Sequence, residues 1–343
     1  MSPKPSKRAS SSASTSRGFD KELAEIEALS EAVKAGAPLD AAVVEHLRKS
    51  LAHRNNFIVA KAAKLVADGE LAALLPDALA AYDRFFIDAE KTDPQCWAKN
   101  ALVKTLIALE HRAKDAYLRG LRHHQFEATW GGKTDTAGTL RGACAHALVN
   151  CPGVSDLELL TLLLDLFADS DKSVRVEAAR AVGNVGGPSA VLLLRLRALL
   201  GKGEEPEVLG ACYAGLLDLE GERAIPFVAA NLEEGDDVSA EAAFALSEQR
   251  KPAALAALIA RYRQGPDEWF GSVLLSAIAL TRLLEAADFL IAMIARDARE
   301  APAAIEAIGR SAPPDEWRAR VQAAAEQVGS PRLMQAVREH LSG

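Results

Sequence analysis

The sequence predicts an all-α chain folded as a solenoid of about eight two-helix repeats, and three observations carry that expectation. Hydrophobic residues make up 49% of the 343 residues while aromatics are only 5%, so Ala, Leu and Val must supply the apolar surface. Such side chains favour helices and leave few of the β-branched and aromatic runs that mark strands. Second, one pattern recurs. In DKSVRVEAARAVGNVG (171–186) a turn acid precedes Val174, Arg175, the pair Ala178 and Ala179, then Ala181 and Val182. DDVSAEAAFAL repeats the order with Val238, Ala242, Ala243, Ala245 and Leu246, and TLRGACAHAL with Leu140, Arg141, Cys144, Ala145, Ala147 and Leu148. NFIVAKAAKLV and EVLGACYAGL fit it more loosely. Third, the turn acids Asp135, Asp171, Glu205, Asp236 and Asp267 stand 36, 34, 31 and 31 residues apart. A fixed period of this length marks stacked supersecondary units rather than one growing core.

Taken in order, residues 1–18 (MSPKPSKRASSSASTSRG) carry Lys4, Lys7, Arg8 and Arg17, no acid and no apolar period. A disordered tail is expected there. The array then runs over 19–343. The alanine-patterned helices fall near 54–68, 94–111, 138–150, 172–185, 205–219, 237–249, 268–281 and 299–310. Their partners fall near 38–50, 71–88, 114–122, 155–169, 188–200, 222–234, 252–264 and 284–296. Several partners open on a proline (188, 226, 252), which suits a first helical turn. Terminal helices are expected to cap both ends of the array.

This unit resembles the HEAT-repeat family, including the bacterial repeats of the phycobilisome-lyase type, over roughly residues 38–310 and most clearly at 171–186. The resemblance implies a right-handed superhelix whose alanine-patterned helices line the concave surface. It also implies that Arg141 and Arg175, in the repeat's arginine slot, bond acidic turn residues of adjacent units. Relatives that act on DNA or accompany bilin attachment keep other functions open, because a repeat scaffold carries no chemistry by itself.

One stretch breaks the pattern. HHQFEATWGGKTDTAG (123–138) separates the two helices of the third unit, where other turns need two to five residues. An ordered, inserted loop over 123–137 is expected, and long insertions at one edge of an array commonly decorate a binding face. Its GKT (132–134) is not a phosphate loop, since position 127 is Glu rather than Gly and no strand is expected before it. Gly131 and Gly132 permit a tight turn, and Thr134, Asp135 or Thr136 is expected to cap the next helix. Arg122, His123, His124, Trp130 and Lys133, with Trp97 one unit earlier, are the candidate binding residues. Trp130 either folds back as a lid, with Phe126 leaning beside it, or stays exposed as a contact anchor.

No catalytic constellation is complete. Cys144 and His146 lie two apart on a helix and face different ways, and Cys144 occupies a slot held elsewhere by alanine, so neither metal nor cofactor is expected. Net charge is −7, yet residues 1–18 carry +4, and residues 91–150 carry nine Lys or Arg against five acids. A protein partner is therefore the first expectation and nucleic acid or another polyanion the second, the body's acidity weighing against the latter. Four cysteines without a CxxC, and no apolar leader at the start, suggest a reducing cytoplasm. The most apolar runs are short and charged, unlike a membrane span of about 20 residues.

Overall fold

The computed structural model describes residues 12–36 and 39–341, and the chain divides into two compact units after Ser155. The first unit holds α1 (Ser12–Lys34), α2 (Ala41–Leu51), α3 (Asn56–Asp68), α4 (Leu75–Arg84), α5 (Ala89–Thr92), α6 (Trp97–Ala108) and α7 (Lys114–Leu121). A two-stranded hairpin, β1 (Phe126–Thr129) and β2 (Gly132–Asp135), then leads into α8 (Gly138–Val149). The second unit holds α9 (Asp156–Phe167), α10 (Lys172–Val185), α11 (Gly187–Leu199), α12 (Pro206–Glu220), α13 (Ile225–Ala229) and α14 (Asp237–Glu248). It continues through α15 (Pro252–Arg263), α16 (Glu268–Leu280), α17 (Leu284–Ala295), α18 (Ala301–Arg310), α19 (Asp315–Val328) and α20 (Pro331–His340). Short 3₁₀ turns, Gly221–Ala224 and Ala230–Leu232, extend α13 at both ends.

Both units are all-α solenoids of two-helix repeats. In the first, α3, α6 and α8 stack in one layer; in the second, α10, α12, α14, α16, α18 and α20 do so. The alanine pattern explains the stacking. Ala62, Ala63, Ala178, Ala179, Ala242 and Ala243 have no exposed surface, and these small side chains let neighbouring helices approach. A β-carbon added at Gly183 would stand 3.5 Å from the Gly215 α-carbon, so α10 and α12 nearly touch there. The periodic turn acids have a local cause as well: Asp171, Asp236 and Asp267 accept the Ser173, Ser239 and Phe270 amides and cap α10, α14 and α16. Arg175 bonds Glu204 of the next turn (Nη2–Oε1 2.9 Å) and the Asp169 carbonyl (2.7 Å). Arg141, by contrast, bonds an acid of its own unit.

Three expectations need correction. Residues 12–18, expected to be disordered, form the first turns of α1, whose Ile26 is buried and which packs on α3; residues 1–11 lie outside the described residues. Once a packed segment nucleates a helix, adding Ala and Ser residues at its end requires no new nucleation. The helix expected from 94 begins at Trp97, because Gln95 and Cys96 adopt left-handed backbone angles (φ 58 and 55). Residues 315–340 are more than a cap, since α20 packs on α18 and α19 on α17, adding one more pair to the stack.

Close packing in the first unit predicts one sensitive position. A β-carbon at Gly120 of α7 would collide with Cys144 Sγ and Tyr82 Oη, both buried. Gly120→Ala is expected to lower stability by about 1–3 kcal/mol in thermal denaturation, although alanine is the better helix former. Unchanged stability would mean that α4, α7 and α8 can part at no cost.

Candidate functional site

The interruption at 123–137 is a β-hairpin, and its strands pair Phe126 with Asp135 and Thr129 with Gly132. Trp130 and Gly131 make the turn, Gly131 supplying a φ of +103 that side chains resist. A strand does precede the GKT, contrary to expectation, but those residues lie within β2 and open no helix, so no phosphate loop forms.

Two carboxylates fasten the hairpin base. Asp135 accepts the amides of Gln125 and Ala137 (both 3.0 Å) and Arg141 Nη1 (2.7 Å), and pairs with His124 Nδ1 (2.7 Å). Arg141 is fully buried and also donates to the His123 carbonyl at 3.0 Å. Burial by itself would raise the Asp135 pKa; the two amides, His124 and Arg141 outweigh it and hold the group down at about 2. Asp135 thus braces the segment before α8, while the N-cap position itself falls to Ala137, which makes no side-chain cap. Glu127 accepts from the Gln95 amide (2.6 Å), Gln125 Nε2 (2.5 Å) and Thr136 Oγ1 (2.9 Å). Burial opposes its ionisation, but these donors prevail and its pKa is lowered.

Beneath the hairpin lies a polar cluster that sequence reasoning missed. Asp93 and Lys99, both without exposed surface, form an ion pair at 3.0 Å. The Asp93 carboxylate also accepts the Ala98 and Lys99 amides (2.8 and 3.0 Å) and Asn56 Nδ2 (3.0 Å), and Lys99 Nζ donates to the Phe85 carbonyl (3.1 Å). Asp93 therefore caps α6 from outside the helix, which is why Gln95 and Cys96 can occupy a left-handed conformation. Gln125 ties this cluster to the hairpin, donating to the Asp93 carbonyl at 2.8 Å and accepting from Cys96 Sγ at 3.3 Å. Nothing in the spacing of 93 and 99 separates a buried pair from a solvated i, i+6 pair, so the sequence carried no signal for it.

The six candidate residues fall into separate groups. Trp130 is fully exposed at the hairpin tip, with Lys133 exposed on β2; the lid expectation for Trp130 fails, and Phe126 is half-exposed rather than leaning on the array. A two-residue turn leaves the indole no surface within reach. His123, His124 and Arg122 sit at the base. His123 packs edge-on against Phe86 (4.9 Å), and its pKa is lowered by burial. His124 stacks on Phe126 at 6.1 Å, and Arg122 is exposed. Trp97 lies apart, half-exposed on α6 and 5.2 Å from the Phe57 ring.

Two cysteines lie near the hairpin, and both are buried. Burial pushes the Cys96 thiol up to about 11 and the Cys144 thiol up to about 12, so neither supplies a thiolate near neutral pH. Among the described residues no helix is long and apolar enough to cross a membrane. Residues 160–247 match the family model described as HEAT repeats. No curated protein matches the chain.

Proposed function

We propose that this chain, whose repeats are HEAT repeats, is a non-enzymatic protein-binding scaffold that presents the 126–135 hairpin to a partner. One observation carries the reading: Trp130 stands wholly in solvent on a hairpin whose base is fixed by Asp135, Glu127 and Gln125. A rigid support lets an exposed indole be buried on binding without first ordering a loop. Burying it would contribute about 2–3 kcal/mol. Lys133 on β2 and, at the hairpin base, Arg122 and His124 suit acidic groups on the partner.

A polyanion reading is weaker. Within the basic 91–150 region, Lys99 is buried against Asp93, Arg141 against Asp135, and Arg119 pairs with Asp83 at 2.6 Å. Charges neutralised within the protein release no counterions from a phosphate backbone.

Trp130→Ala tests the proposal. Stability should change by less than about 0.5 kcal/mol, as for an exposed position, while recovery of partners in a pull-down falls about tenfold. Equal recovery by the variant would remove the hairpin from the interface. Retardation of DNA at about 50 mM salt, abolished by charge reversal of Lys133 and Arg122, would favour the polyanion instead.

A further inference from the structure

In the second unit, the partner helices of the alanine-patterned layer carry a stripe of leucines in solvent. On α11, Leu192, Leu196 and Leu199 follow one another at spacings of four and three residues, and Leu200 stands beside them. All four are 53–70% exposed, whereas Ala190 and Leu194 on the opposite side of the helix are fully buried. α11 is thus apolar all round without being covered all round, a composition that ordinarily belongs to a buried helix. The neighbouring α9 adds Leu157 and Leu164, 72% and 46% exposed. Arg197 of α11 lies over the Phe167 ring of α9 at 5.9 Å, which turns the flank holding Leu196 and Leu200 towards α9 and joins the two groups into one patch.

The charges of α11 point away from the stripe. The helix holds no acid, and both its arginines turn into the chain: Arg195 pairs with Glu220 (2.5 Å) and covers the Phe227 ring, while Arg197 pairs with Glu204. The solvent faces of α15 and α17 differ, holding Ala256, Ala260 and Arg263 on one and Asp288, Ala292 and Ala295 on the other. The repeat itself therefore does not require the leucines. Six of them at these exposures present on the order of 600 Å² of apolar surface, the upper end of what a monomer leaves in one patch. With the exposed Thr161, Ala168 and Ser189 around them, the face approaches the roughly 800 Å² per partner of a stable interface.

We infer that the occupant of this face is a second copy of the chain, packed α11 against α11 about a two-fold axis. Leucines at spacings of four and three form the seam by which one helix packs on another, and a two-fold pairing sets that seam against its own copy. Charges beside such a seam select a partner by rejecting others; α11 turns none outward, so nothing on it rejects its copy. A lipid surface suits it less, because interfacial helices surround their apolar face with Lys and Arg, whereas α9 adds the exposed acids Glu158 and Asp165. Nucleic acid meets the same lack of cations. The inference goes beyond the scaffold reading and shares no residue with the hairpin.

Sedimentation equilibrium of the full-length chain between about 1 and 100 μM tests it. A monomer–dimer equilibrium with a dissociation constant of about 10 μM or tighter is expected. Leu196→Glu and Leu199→Glu should each weaken the dimer at least tenfold, with the far-ultraviolet circular dichroism spectrum and the melting temperature of the monomer unchanged. Leu284→Glu, at a leucine of α17 that is 55% exposed, should leave the dimer as it is. A chain that stays monomeric at 100 μM, a dimer that survives both α11 variants, or a monomer that floats with phosphatidylcholine vesicles through Leu196 and Leu199 would each overturn the inference. Trp130→Ala should leave the dimer intact; a dimer lost in that variant would be built on the hairpin and would overturn the assignment to α11. Partner recovery in a pull-down reports on the hairpin separately, so either reading can fail while the other stands.

Discussion

Asp93→Ala is expected to destabilise the first unit by about 3–5 kcal/mol, the range for breaking a buried ion pair from one side. The substitution leaves the Lys99 ammonium, which has no exposed surface, with only the Phe85 carbonyl at 3.1 Å and the face of the Phe86 ring at 5.7 Å. It also strips the Ala98 and Lys99 amides of their acceptor and releases Asn56 Nδ2. The left-handed Gln95 and Cys96 lose the interaction that holds them, and a helical start at 94 becomes competitive. In thermal denaturation the loss corresponds to roughly 10 °C for a unit of this size. Lys99→Met added to Asp93→Ala should recover part of it, because the uncompensated charge is removed along with its partner. A single variant that costs under about 1 kcal/mol would show that water or a neighbouring group reaches Lys99, contradicting its burial.

The second large effect is the dependence of the hairpin on the ionised form of Asp135. In the folded chain its pKa is held at about 2, against an ordinary value of 3.8. A depressed pKa means the folded state favours the carboxylate, so its contribution is complete above about pH 4 and drains away as pH falls towards 2. The difference is worth roughly 2 kcal/mol. Amide hydrogen exchange over 126–135 should therefore accelerate, relative to the intrinsic rate, as pH drops through this window, and Asp135→Asn should flatten the response. Asp135→Ala removes more than a charge. It takes the carboxylate from the Arg141 guanidinium, which is 1% exposed, and frees the Gln125 and Ala137 amides, so a loss of about 3–5 kcal/mol is expected. Protection of the hairpin that survives Asp135→Ala would transfer the anchoring role to Glu127 and Gln125.

The sequence by itself determined the repeat and most of its helices. Ala178 and Ala179, Ala242 and Ala243, and the turn acids at 171, 236 and 267 announced α10, α14 and α16 because a local rule decides each of them: small residues on the buried face and a carboxylate at the N-cap. The insertion was legible as an interruption, and so was its place between the helices of one repeat. Its strands were not, although EATWGGKTDT carries threonines on both sides of a glycine turn. Four-residue polar strands bury almost nothing, and they pair here because Asp135 and Glu127 fasten their ends to Arg141, Gln95 and Gln125. Tertiary structure alone decided that Trp130 faces solvent, that Trp97 meets Phe57, and that Asp93 and Lys99 share a dry site. Each outcome depends on which distant groups arrive at hydrogen-bonding or van der Waals distance, 37 residues away for Asn56 and Asp93. Periodicity along the chain records which face of a helix is buried; it holds no record of what meets that face.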